Sequence, residues 1–181
     1  MACASDLEAP AIHVSPLSKG RKVETAWLDI KGEPVYASLT NLRVRFPPSV
    51  YNGTGQETKK NVVFDLTMED HKGLSELERR IREAGAYAIG GAAWNSWLRD
   101  EDQPRLKVKV TEATAYYDAA CQAIVCPPDE DWRGMVCNAR VLVKALWVHN
   151  KSAGLLAEVT DLQVVEKPKA ERVCPFKSWG Q

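Results

Sequence analysis

Cationic side chains recur at same-parity positions in three separate stretches: Arg43 and Arg45; Arg105, Lys107 and Lys109; and Arg140 with Lys144. Along an extended strand every second side chain points the same way, so each stretch turns its charges to one face. The reverse faces are apolar, with Leu42, Val44 and Phe46 behind the first set and Leu106, Val108 and Val110 behind the second. Trp94, Tyr116, Tyr117, Trp132 and Trp147 supply aromatic rings. Cations that meet phosphates, beside rings that receive unpaired bases, are what single-stranded nucleic acid requires; each stacked base contributes about 1–3 kcal/mol. Any half-exposed strand can alternate in this way, and tryptophan is more often core than platform. Trp147 shares the parity of Met135, Cys137, Ala139, Val141, Val143 and Ala145, a wholly apolar or small face, which predicts a packed ring. What points to binding is that three cationic strand faces occur together.

Catalysis finds less support. His13, His71 and His149 stand apart from any nucleophile at an interpretable spacing. His71, with Glu69 and Asp70, sits where a helix should begin, and helix N-termini gather acidic residues for capping and dipole reasons. Gly90-Gly91 has neither the dinucleotide-fold nor the P-loop spacing. No His-x-Glu accompanies a paired Cys-x-x-Cys. Cys3, Cys121, Cys126, Cys137 and Cys174 are odd in number and scattered, which fits free thiols in a reducing compartment better than a disulfide framework. Cys121 and Cys126 lack the second close pair of a structural zinc site. We expect no metal, no cofactor and no enzymatic activity.

With 24 basic and 24 acidic residues the 181-residue chain has zero formal charge. It is therefore not coated with positive charge, although a local basic groove is permitted. An apolar fraction of 45% suits a globular domain with a sizeable core. No apolar run approaches the roughly 20 residues that span a bilayer, and the first 16 residues lack the basic start and apolar centre of a secretory signal. The expectation is an intracellular protein with no membrane partner.

Residues 1–20 contain Pro10, Pro16 and Gly20 with little periodicity and read as a mobile N-terminal arm. Residues 21–167 read as one domain, and 168–181 as a polar tail. Within the domain, strands are expected from Val23 to Ile30 and from Val35 to Phe46, where Pro47-Pro48 should stop the ladder. Further strands are expected from Asn61 to Met68, Arg105 to Thr114 and Gln122 to Val125. Gly134 to Glu166 reads as a long hairpin reversing at residues 150–154. Between the early and late strands the period changes. Leu74, Leu77, Ile81 and Ala84 fall at helical spacing, Gly85 can cap the helix, and a second, less regular helix interrupted by Gly90-Gly91 is expected within residues 86–98. Many strands with a helical insert over about residues 70–99 predict a mainly β fold. A five-stranded antiparallel OB-type barrel with extra strands is the natural candidate, though strand pattern alone does not separate it from a β-sandwich.

Two runs add a resemblance. Leu42-Arg-Val-Arg-Phe-Pro-Pro-Ser-Val-Tyr51, a glycine-bearing loop and Lys60-Asn-Val-Val-Phe-Asp-Leu66 resemble the early strands of phage and large-DNA-virus single-stranded-DNA-binding proteins. The later order is similar too: a lysine-rich strand, Trp132-Arg133-Gly134, Met135 to Arg140, Trp147, His149-Asn150, a Gly154 turn and Leu162 to Val165. The likeness covers roughly residues 39–166. It implies an OB fold coating single-stranded DNA in viral replication or recombination, in the cytoplasm or nucleus of a host cell. It also implies phosphate contacts from Arg43, Arg45, Lys60, Lys107, Lys109, Arg140 and Lys144, with Tyr116 and Trp147 as stacking partners; Arg105 joins these candidates from its place on the Lys107 and Lys109 face. Replication proteins, and further copies of the chain held through the terminal arms, are the other partners it suggests. Some members end in a strongly acidic tail, whereas this chain ends in Phe176-Lys-Ser-Trp179-Gly-Gln, so tail-mediated recruitment is not expected. The alternatives are a viral β-barrel structural or assembly protein, and an RNA-binding OB module.

Overall fold

Alternating, β-branched segments dominate the chain, and in the computed structural model they pair into one mixed sheet of twelve strands. The structure describes residues 10–20, 23–50, 60–99, 102–128 and 132–167. In chain order the elements are β1 (His13–Val14), β2 (Ser18–Lys19), β3 (Glu24–Ile30), β4 (Glu33–Val50), β5 (Lys60–Asp65), α1 (Met68–Ala84), α2 (Ala86–Ile89), β6 (Ala93–Asn95), β7 (Leu98–Arg99), β8 (Arg105–Val110), β9 (Ala115–Tyr117), β10 (Ala123–Ile124), β11 (Val136–His149) and β12 (Ser152–Glu166). Residues 1–9 of the expected arm and the tail 168–181 lie outside the described residues. The rest of the arm lies against the sheet, with β1 and β2 each paired to β3.

Five strands pair in a closed circuit: β4 with β5, β5 with β8, β8 with β12, β12 with β11, and β11 back to β4. Val44, Phe64, Leu106, Val108, Val141 and Val159 turn inward and are almost fully buried. The mainly β expectation is borne out, with one correction. The sheet is mixed, not antiparallel, because β12 runs parallel to β6, β8 and β9.

Two turns set the register. Lys31 and Gly32, both with positive φ, close a two-residue loop between β3 and β4, the backbone twist that tight hairpins favour. Asn150 and Lys151 close β11 onto β12 with His149 opposite Ser152. The reversal is thus two residues long, shorter than expected, and Gly154 lies inside β12 opposite Trp147. A Cβ on Gly154 would stand 2.8 Å from the Asn95 carbonyl oxygen and 2.9 Å from Cζ2 of Trp147. Glycine is what lets that ring and β6 close over the strand.

Bulges overturn two further expectations. Pro47-Pro48 does not end β4, which continues to Val50, because the prolines fall in a register shift between the pairs Phe46/Val63 and Ser49/Asn61. A bulge is where a strand tolerates residues that cannot donate. In β11 the pair Val143/Ala157 is followed by Ala145/Leu156. Two steps on one strand against one on the other leave Lys144 as the surplus residue. They also flip Ala145 and Trp147 to the opposite face from Val143.

The helical insert begins as expected. Thr67 caps α1 by accepting from the Asp70 amide at 3.1 Å, Glu69 and Asp70 occupy the first turn, and Gly85 ends it. Leu74 and Ile81 bury against the sheet, and a Cβ on Gly85 would meet Leu146 Cδ1 at 2.9 Å, so the helix end rests on β11. The second helix is a correction: α2 is four residues long, and the chain then turns extended as β6 and β7. Glu78 supplies the tie. Its buried carboxylate accepts from Trp94 Nε1 at 2.9 Å and Ser96 Oγ at 2.8 Å. Cys137 is sealed in the core, where burial pushes its thiol up to about 12. Cys121 and Cys126 are exposed and free.

Candidate nucleic-acid interface

Strand β5 lies between β4 and β8, so two of the three cationic stretches come onto one outer face. The register sets them in rows: Arg43–Asp65–Arg105, then Phe46–Val63–Lys107, then Ser49–Asn61–Lys109. Beside the first row part of the charge is tied down. Arg45 Nη1 reaches Asp65 at 3.1 Å, and Arg45 and Arg105 both donate to Gln103 Oε1, at 3.3 and 3.1 Å. The second row is open. Lys107 is exposed and has no ion pair among the described residues, and the Phe46 ring is 51% exposed with the Arg45 guanidinium 5.8 Å from its centroid. Phe46 was expected to pack behind the arginines. The bulge beside Arg45 puts it opposite Val63 on the outer face instead.

The second and third rows run into a groove of about 640 Å³ lined by Lys107, Lys109, Asn61, Arg99, Trp147, His149 and Thr25, among others. Its far wall is the end of β11 that the Lys144 bulge has turned over. That is why Trp147, expected in the core, stands half-buried on the groove wall, its ring against Gly154. Trp97 also lines the groove but is buried. Arg99 was not singled out by the sequence; its strand, β7, pairs with β8 at Leu106 and Arg105.

The remaining candidates lie elsewhere. Arg140 and Lys144 are on the outer face of β11, beyond the groove lining. Arg140 stacks 3.9 Å from the Tyr36 ring centroid, and Lys144 bridges Glu158 at 3.1 Å. Lys60 and Tyr116 face a separate cavity of about 180 Å³ shared with Trp132 and Pro48. Tyr116 is 9% exposed and Trp132 1%, edge-to-face at 6.0 Å, so neither ring offers a free face. Trp94 is half-buried beneath Arg82. Tyr117 is half-buried, with its hydroxyl 3.5 Å from Asp161. Among the described residues no helix is long and apolar enough to cross a membrane.

A closed five-strand circuit with a basic, ring-bearing groove on its outside is the OB-type arrangement. No family model and no curated protein matches the sequence, but solved structures share the fold. The single-stranded-DNA-binding protein gp2.5 of bacteriophage T7 superposes with a TM-score of 0.60 at 10% identity, over 76% of this chain and 89% of that one. The single-stranded-DNA-binding protein of bacteriophage Enc34, solved in complex with single-stranded DNA, superposes at 0.55 and 13% identity, over 87% and 97%. A further Enc34 structure superposes at 0.54 and 13%, over 92% and 98%. The resemblance read from the strands is thus borne out in the fold.

Proposed function

We propose that this protein binds single-stranded DNA with little sequence preference, acting as a non-catalytic coat in viral-type replication and recombination. One observation carries the reading: the register brings Lys107, Lys109 and the Phe46 ring into adjacent rows that open onto the groove holding Trp147 and Arg99. Cations there meet a phosphate backbone, and rings accept any base, because every base has a π-face. The phage proteins that share the fold are single-stranded-DNA-binding proteins by name, which supports the same assignment here.

Titration with oligo-dT tests it. Binding should quench tryptophan fluorescence as bases reach Trp147, and should weaken as salt rises, since each neutralised phosphate contributes about 0.7 to the log–log slope on single strands. Salt-insensitive binding, or none, would sink the assignment. A parallel titration with oligo-U separates DNA from RNA, the 2′-hydroxyl being the discriminating group.

A further inference from the structure

Two exposed rings lie past the groove on the same side of the sheet. Trp27 is 53% and Tyr36 38% exposed. Trp27 stands opposite Ala145 and Tyr36 opposite Leu142, so both flank β11 along one edge. Their faces are outward: the adjacent residues Ala26, Leu28 and Val35 are the buried ones. Val23 and Thr25 line the groove, and Trp27 is the next residue on that face of β3, so the groove leads onto the pair.

Each ring has a cation at its face. Lys144 Nζ is 5.9 Å from the Trp27 centroid, and Arg140 Cζ is 3.9 Å from that of Tyr36. A single exposed aromatic on a strand needs no explanation. Two on one strand edge beyond a basic groove, each steadied by a cation, form a surface. One of the two cations is already matched, because Lys144 is bridged to Glu158 at 3.1 Å, which leaves the rings as what this surface chiefly offers to bases.

We propose that Trp27 and Tyr36 form a second stacking lane, which takes the bases of a bound strand as it leaves the groove and holds them by ring contact rather than by charge. The lane rests on the single-stranded-DNA reading above and extends it from one groove to a path that turns across β11. A strand too short to leave the groove does not reach these rings.

The test uses labelled oligo-dT of about 5 and about 16 nucleotides, the two ends of the range for one OB fold, titrated at several salt concentrations. The proteins compared are wild type, Trp27→Ala/Tyr36→Ala and Trp27→Phe/Tyr36→Phe. The alanine pair should bind the short oligomer within about twofold of wild type and lose about tenfold or more on the long one. The salt slope should stay unchanged, and the phenylalanine pair should keep the long-oligomer affinity. Equal loss at both lengths, no loss at either, or a flattened slope overturns the lane. Wild type that binds neither oligomer overturns the single-strand reading itself, which the other outcomes leave standing.

Discussion

Helix α1 holds Arg79, Arg80 and Arg82 within about one turn, much as β8 holds Arg105, Lys107 and Lys109 at alternate positions. On the helix each charge is already engaged. Arg79 pairs with Glu76 and Glu83, and those carboxylates hold its guanidinium protonated beyond the usual range, while its hydrogen bond pulls Glu76 below its own. Arg80 donates to the Pro10 carbonyl, and Arg82 covers the Trp94 ring at 5.4 Å. Along β8 the pattern is graded. Arg105 shares Gln103 with Arg45, whereas Lys107, in the next outward row with Phe46 and Val63, has no ion pair among the described residues and lines the groove. Equal numbers of cations thus serve different ends. The helical three are engaged by Glu76 and Glu83, the Pro10 carbonyl and the Trp94 ring, whereas Lys107 faces the groove without an ion pair among the described residues and remains available to a polyanion.

That contrast can be broken by substitution, and the rings should show it most. Phe46→Ala combined with Trp147→Ala should cost about 1–3 kcal/mol per lost stack, measured by anisotropy of a labelled oligo-dT so that removing tryptophan does not blind the assay. Lys107→Ala with Lys109→Ala should come next, lowering the log–log salt slope by about 1.4 in total; an unchanged slope would move both off the phosphate path. On the helical side the effect should appear in stability instead. Glu78→Ala strands the Trp94 and Ser96 donors and should cost about 1–3 kcal/mol in urea denaturation. Smallest of all, Arg79→Ala, which removes only exposed ion pairs, should leave the urea denaturation midpoint close to that of wild type and the salt slope untouched. A slope that falls with Arg79→Ala would erase the distinction between the two regions.

Period-two alternation and helical spacing carry most of the secondary structure: β3, β5, β8, the long hairpin and α1 with its Gly85 stop are legible from residue order alone. The convergence of Arg43 and Arg45 with β8 was also legible as matching faces, although β5 as the strand between them was not. What stayed hidden follows from bulges. Parity places Phe46 and Trp147 in the interior, and each is on the outside because one surplus residue precedes it in the ladder. A bulge depends on the partner strand as much as on its own, so single-strand alternation does not register it. Trp132 and Tyr116 illustrate the converse. Both looked like platforms, and both fill a cavity wall at the end of the circuit. The short β6 and β7 were masked by alanines and by Gly90-Gly91, which imitate a broken helix.

The extra residue at position 144 has a consequence for how this chain tolerates length change. Excising Lys144 would leave Val143 inward, Ala145 outward, Leu146 inward and Trp147 outward, the same faces in plain alternation. Leu146 would stay under the end of α1 and Trp147 on the groove wall. A one-codon deletion there is thus predicted to be milder than one in the regular part of the strand, where every side chain beyond the cut would change face. When distant relatives are compared over this hairpin, gaps belong where the pleat inverts rather than where the letters differ.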